Sequence, residues 1–482
     1  MKKVLADATV SKPRLGNGAE VSSAFWTLCI ADPIFFVRTM LGVEKLEGYQ
    51  EEFLNNVAKF DRVAFRSGHG VGKTFIVACV ILWFLFTRPC SKVISTAPTW
   101  RQVRKILWAE IKTRYNASNL SKALAQVLDT ELRLASDWFA VGESSDDPHK
   151  LEGFHADDVL FVVDEAKAVP NKTLDAIEGS QTGKGAKLIY ISTPASRTGG
   201  FYEVFMGKRK GWKCMHVSCL DSARVSPEWI EARRLQWGEN NPVYQARVLG
   251  NFPDEGEDSL IPLSWVEAAI VDDENDMPKL AAKSDDKTIQ LGCDVARFGS
   301  NFTVLTLRQG QAILSIEKYG KESVMFTAGR VMTYVRESMD NGGVVVVDDT
   351  GLGGGVTDRL RELNCPWVVP AIMGASALDR ETFANVEMEA YWQLRKRFEG
   401  KAISIPDDYE LIGQLASIKY TYTSDGRLKL VKPSGPDSPD KADSLCLAFM
   451  DVAGGGDWMM RELAQSRETI HLMGECVSVK GW

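Results

Sequence analysis

From about Tyr49 to Phe252, short apolar runs bounded by turn residues alternate with helical stretches. Arg62–Phe65, Lys92–Thr96, Val159–Val163 and Lys187–Ser192 read as strands separated by helices, the pattern of an α/β doubly wound parallel sheet. The longest apolar run, Phe75–Phe86, has 12 residues, short of the roughly 20 a membrane helix needs, so it predicts a buried helix and no membrane association. Pro253–Ser259 is acidic and glycine-bearing, with a further proline at Pro262, and reads as an exposed linker. Beyond it the pattern changes. Strands at Ile289–Asp294, Thr303–Arg308 and Ala312–Tyr319 follow in succession, then a helical stretch and the strand Val344–Asp348, which together predict a mixed sheet. The expected division is therefore a first domain over 1–252, a linker over 253–262 and a second domain over 263–482. The first domain includes a helical stretch up to Gly48 and a small lid near 205–252. The second ends in a tail after Gly456 that carries no pattern. No internal repeat is present.

Composition narrows the functional classes. A chain of 482 residues, 45% hydrophobic and 25% charged, is an ordinary globular protein. Its 64 acidic against 57 basic residues exclude a whole-molecule positive field, so any nucleic-acid binding must use local patches. Arg101, Arg104 and Lys105, or Lys208-Arg209-Lys210 with Lys213, could form such patches or simply be solvated faces. Nine cysteines without a C-x-x-C pair, and no charged-then-apolar leader, predict a reducing compartment and speak against a zinc module.

Arg66-Ser67-Gly68-His69-Gly70-Val71-Gly72-Lys73-Thr74 follows an apolar strand and opens an apolar helix, the setting of a P-loop. Backbone amides of such a loop cradle phosphates, Lys73 would reach the β and γ phosphates of ATP, and Thr74 would hold Mg2+. Ser67 stands where the usual pattern has glycine. A glycine-rich turn that merely connects strand and helix would share much of this pattern. Leu160-Phe161-Val162-Val163-Asp164-Glu165 ends a buried strand in two carboxylates and suits a Walker B site, with Asp164 toward the metal and Glu165 polarising water. Thr96-Ala97-Pro98-Thr99 and Ser192-Thr193-Pro194 end two further strands. Their hydroxyls could sense the γ-phosphate or could cap helices. Tyr49 and Gln50 could meet adenine, and Arg66 could offset charge at the transferring phosphoryl or form a salt bridge.

In the second half, Asp294 ends one strand and Asp348 another, ahead of Thr350-Gly351, while Ser438–Asp443 precedes an apolar helix over Ser444–Met450, with Asp443 in its first turn. Carboxylates gathered at sheet ends suit two Mg2+ or Mn2+ ions and phosphodiester cleavage. Singly, each is more readily a cap or a turn residue, and the case rests on the trio. Asp349 competes with Asp348, because an all-valine strand gives no parity by which to choose.

Together these residues resemble the large terminase subunit of tailed bacteriophages, over nearly the whole chain. The resemblance rests on the P-loop ending Gly72-Lys73-Thr74, Thr96–Thr99, Gly153-Phe154-His155-Ala156 ahead of Walker B, Ser192-Thr193-Pro194, and the acids Asp294, Asp348 and Asp443. It implies a RecA-like, P-loop ATPase domain followed by an RNase H-like nuclease domain. ATP hydrolysis would move double-stranded viral DNA through the portal of a procapsid, and the nuclease would cut concatemers. Ser192 and Thr193 would couple hydrolysis to DNA movement, and Tyr49 and Gln50 would bind adenine. Asp348 would be preferred over Asp349, and Lys432 would stand near the cleavage site. Implied partners are the portal protein and the small terminase subunit, with a homo-oligomeric ring at the procapsid vertex in the host cytoplasm. A helicase with a non-catalytic second half, or a non-enzymatic DNA-binding subunit, are the competing readings.

Overall fold

A computed structural model describes residues 23–451, apart from 121–124, 146–150, 152, 182, 255, 257, 272–273, 297–301, 340–342, 366 and 434–437. The patternless tail, the first 22 residues and residues 297–301 of the turn after Asp294 lie outside the described residues. The chain divides into two compact units, Met1–Asp254 and Glu255–Trp482.

The first unit is built on eight strands: β1 (Arg62–Ser67), β2 (Lys92–Ala97), β3 (Gln126–Val127), β4 (Glu131–Ala135), β5 (Trp138–Ser144), β6 (Val159–Val163), β7 (Lys187–Ser192) and β8 (Lys213–Val217). Their order is β3-β4-β5-β2-β6-β7-β1-β8. From β5 to β8 every pairing is parallel, whereas β4 and β3 add antiparallel strands at one edge. No strand is expected from the sequence at that edge, where β3 and β4 are only two and five residues long. Successive residues of the central strands serve opposite faces. Val63, Phe65, Leu160, Val162, Ile189 and Ile191 pack with the helix Lys73–Thr87, while Ala64, Phe161, Val163, Leu188 and Tyr190 pack with Leu174, Ile177, Phe201 and Val204. The helix Lys73–Thr87 is buried on all sides from Ile76 onward, as its unbroken apolar run requires. The stretch before Gly48 contributes to this core: Trp83 Nε1 donates to Cys29 O, from the helix Ser23–Ala31.

In the second unit, β9 (Ile270–Val271) pairs with β15 (Ile405–Pro406), and β16 (Lys419–Tyr422) forms a hairpin with β17 (Leu428–Val431). The main sheet comprises β10 (Ile289–Asp294), β11 (Thr303–Gln309), β12 (Ala312–Tyr319), β13 (Val344–Asp348) and β14 (Val368–Ala371), in the order β12-β11-β10-β13-β14. The first three strands are antiparallel; β13 and β14 continue parallel to β10. This is the strand order of an RNase H-like fold. The helix Asp440–Phe449 lies on β10, beginning earlier than the apolar run from Ser444 suggests. Gly292 permits that approach, since a Cβ there would stand 2.2 Å from Ser444 O and 2.4 Å from Ala448 N.

The expected exposed linker is exposed over only part of its length. Leu260 and Ile261 are fully buried, Leu260 N donates to Ile418 O, and Ser259 bridges Lys419. The acidic run masks an apolar pair that the second unit takes into its core. Among the described residues every cysteine is free, and no helix is long and apolar enough to cross a membrane.

Candidate active sites

The P-loop runs from the end of β1 to the helix Lys73–Thr87, whose N-cap, Gly72, has φ +82, a left-handed conformation that glycine adopts without steric cost. Lys73 Nζ donates to Gly68 O at 2.8 Å, Ser67 Oγ at 3.0 Å and Thr193 Oγ1 at 3.0 Å. Burial pushes this lysine down to about 8. Ser67, the departure from the usual glycine, thus supplies a hydroxyl to the lysine. His69 N donates to Arg247 O, and burial, reinforced by Arg247 and Lys73, holds its imidazole neutral, well below its ordinary value. Tyr49 Oη donates to Val71 O at 2.8 Å, tying its helix, Gly48–Lys59, to the loop. Gln50 Oε1 accepts from Glu47 N, but its Nε2 is buried without a hydrogen-bond partner, 2.9 Å from where a Cβ on Gly72 would lie. An unspent donor therefore sits beside the loop.

Asp164 follows β6, every residue of which is buried. Its carboxylate accepts from Glu165 N at 2.9 Å and is pushed up to about 7, first by burial and then by Glu165. Glu165 has φ +48, rare for a residue with a side chain and a form of strain found most often at functional sites. Ser192 Oγ donates to Glu165 Oε2 at 2.9 Å, and Thr193 Oγ1 accepts from Lys73, so the end of β7 touches both the candidate base and the candidate phosphate-binding lysine. Thr74 is half-buried in the first helical turn. Thr99, by contrast, behaves as a cap: its Oγ1 accepts from Gln102 N.

Arg66 is engaged away from the loop. Its guanidinium donates to Gly250 O and Asn251 Oδ1 and lies over the rings of Phe205 and Phe252, 5.5 and 5.3 Å from their centroids. It pins the 250–252 segment rather than facing the loop's phosphate cradle. Two of the basic residues considered for DNA are likewise engaged: Arg104 pairs with Asp129, and Arg209 with Asp175, Glu178 and Glu203.

In the second unit the parallel pairing of Cys293 with Val347 sets Asp294 and Asp348 side by side at adjoining strand ends. The helix Asp440–Phe449 brings Asp443 to them. Asp294 is raised well above the carboxylate range, by burial first and then by Asp443, Asp440 and Asp348. Asp348, also raised by burial, accepts from Thr350 N, whereas Asp349 Oδ1 accepts from Thr357 Oγ1. Sequence parity could not make this distinction. Lys432 Nζ lies 2.8 and 3.0 Å from the Asp443 oxygens and 2.5 Å from Glu387 Oε1, and Tyr391 Oη donates to Asp443 Oδ1 at 2.6 Å. Burial alone would lower Lys432, but Asp443 and Glu387 outweigh it and hold the ammonium above its ordinary value.

Three residues here escape sequence reasoning. Asp440 is buried, raises Asp294 and accepts from Phe302 N at 2.8 Å; its place three residues before Asp443 on one helix was the available signal. Glu387 and Tyr391 share a helix spacing of four, but nothing in the sequence marks them.

The crowded carboxylates are hard oxygen donors whose mutual repulsion a divalent cation would relieve, so the donor set fits Mg2+ or Mn2+. As the side chains lie, no three His, Cys, Asp or Glu among the described residues could hold an ion, and Asp443 is engaged by Lys432 and Tyr391 instead.

These units define a chain with a P-loop nucleotide fold and an RNase H-like fold bearing an acidic cluster. Residues 65–268 match the family model described as terminase large subunit, T4likevirus-type, N-terminal. The probable terminase large subunit of Enterobacteria phage P7 is 27% identical over 220 residues, covering 42% of this chain and 44% of its own length. The match thus spans less than half of that relative. Similar solved structures include a large terminase from a thermophilic bacteriophage, at 14% identity and TM-score 0.42, covering 84% of this chain and 98% of that one. The Thermus phage P74-26 large terminase ATPase domain is similar at 22% identity and TM-score 0.38, covering 45% and 97%. A mutant nuclease domain of the Sf6 large terminase subunit, with manganese and beta-thujaplicinol, is similar at 17% and 0.35, covering 40% and 99%.

Proposed function

We propose that this chain is the large subunit of a viral DNA-packaging terminase, an ATPase that moves double-stranded DNA through a portal and an endonuclease that cuts concatemers. The observation that carries the reading is the contact of Ser192 and Thr193 with Glu165 and Lys73, in a chain that also carries the acidic cluster. ATP phosphates would take Lys73 from Gly68 O and the two hydroxyls. That change frees Thr193, and Ser192 on the same strand end holds Glu165, the base that orients the attacking water. Thr74 and Asp164 would hold Mg2+ beside the phosphates, and Gln50 Nε2 supplies a donor for the base.

Asp294, Asp348 and Asp443 would hold divalent ions. When bound, such ions activate water and stabilise the leaving oxygen of a phosphodiester. The protein's own part is to place three carboxylates at two strand ends and one helix, with Asp440 fixing the backbone at Phe302. In the full assembly a ring of subunits would work with the portal and the small subunit inside the host. The test is to incubate the purified chain with plasmid and Mg2+ or Mn2+, with and without ATP. The reading expects both phosphate release and cutting; a folded protein that does neither overturns it.

A further inference from the structure

A cation already present in the acidic cluster is Lys432, and two positions of one helix meet it or its partner Asp443. Glu387 and Tyr391, four residues apart on the helix Val386–Glu399, face the same place. Glu387 accepts from Lys432 Nζ, and Tyr391 Oη donates to Asp443 Oδ1. Lys432, just beyond β17, divides its donors between both oxygens of Asp443 and Oε1 of Glu387. An ammonium thus stands where a metal ligand must become available. If Asp443 were its sole partner, a metal would have to leave a largely buried ammonium unpaired, which is costly. Glu387 removes that cost.

We propose that Glu387 is a holding position for Lys432: when a divalent cation takes Asp443, the ammonium passes to Glu387 alone, while Tyr391 keeps the Asp443 carboxylate oriented through the exchange. Glu387 and Tyr391 are positioning residues and touch no reacting atom. The inference rests on the metal-site reading of Asp294, Asp348 and Asp443.

The test is calorimetric titration of Mn2+ into the full chain, without DNA, for the wild type, Glu387→Gln, Lys432→Met and the double variant, with thermal melts to confirm folding. Glu387→Gln should weaken Mn2+ binding roughly tenfold, the scale of outer-shell changes at metal sites. Lys432→Met should tighten it, and adding Glu387→Gln to Lys432→Met should change it by less than about twofold, because no ammonium remains to be held. Equal weakening in both backgrounds would make Glu387 only one more negative charge and overturn the exchange. Should Glu387→Gln fail to fold, Mn2+ binding that is unchanged or weaker in Lys432→Met overturns it instead. The underlying reading fails separately: wild-type protein that takes up no Mn2+, or Asp294→Asn that binds as well as wild type, removes the metal site and the exchange with it.

Discussion

In the first unit the P-loop lysine, Lys73, lies against oxygens without formal charge, those of Gly68, Ser67 and Thr193; in the second, Lys432 lies between the carboxylates of Asp443 and Glu387. Burial therefore lowers Lys73 to about 8, while at Lys432 the carboxylates outweigh burial and raise it. In the first site the carboxylates of Asp164 and Glu165 act on Lys73 electrostatically while its hydrogen bonds go elsewhere, so a polyphosphate would displace only neutral oxygens from the ammonium. The other has neutralised part of itself and must exchange a cation before it can act. A buried lysine is thus no indicator of function until its partners are known.

The largest effect that could break this comparison is cross-dependence of the two sites. Lys73→Ala should lower ATP hydrolysis by roughly 100-fold or more and leave metal-dependent plasmid cutting intact, and Asp294→Asn should do the reverse. Phosphate release and gel-resolved cutting measured on the same preparations decide it. Loss of both activities in either well-folded variant would show that the units do not carry separate chemistry. Next is Ser192→Ala, which removes the hydroxyl held by Glu165 Oε2 and should reduce kcat for ATP about tenfold, equivalent to about 1.4 kcal/mol, with KM little changed. An unchanged kcat would reduce Ser192 to a strand-end residue.

The sequence made the first unit more legible than the second. Continuous apolar strands and a loop with a fixed spacing located Lys73, Asp164 and Glu165, and helix-period or strand-period patterns gave the main elements of both sheets. What it could not supply was side-chain direction. Asp348 and Asp349 are equivalent in a strand apolar on both faces, and Arg66 adjoins the loop in sequence while its guanidinium is drawn to Phe205, Phe252 and Gly250 O. Glu387 was invisible for the same reason: its partner Lys432 lies 45 residues away and meets it only after β17 folds back. Long-range pairing of charges leaves no local period to read.

Protonation sharpens the contrast at an intermediate scale. Asp164, pushed up to about 7, must lose a proton to face Mg2+, so Mg·ATP affinity should fall as pH drops below that value, by up to about tenfold per unit. Lys73, near 8, must be charged to face phosphate, so affinity should fall again as pH rises above its value. Equilibrium nucleotide binding from pH 6 to 9 should therefore peak between the two, and a flat profile would contradict the assignment of both groups. In the second unit the comparable structural test is Gly292→Ala. Its Cβ would meet Ser444 O at 2.2 Å, so the variant should lose about 1–3 kcal/mol of that unit's stability by thermal melt, and cutting should suffer while ATP hydrolysis persists.

The smallest effect concerns Arg66, and it discriminates between what the sequence suggests and what the geometry assigns. The guanidinium's hydrogen bonds to Gly250 O and Asn251 and its place over two phenyl rings tie the end of the first unit back to β1. Removing them in Arg66→Gln forfeits a cation–π contact of about 0.5–2 kcal/mol, part of which the amide's own hydrogen bonding restores. Hydrolysis per folded molecule should then stay within about twofold of wild type, a loss far below the several kcal/mol expected of a group that neutralises a transferring phosphoryl. A melting shift without a kcat change places Arg66 in the scaffold. A drop of 100-fold at unchanged melting temperature would mean that nucleotide draws the guanidinium out of its aromatic seat and into the site, and the comparison between a preformed first site and an exchanging second one would no longer hold.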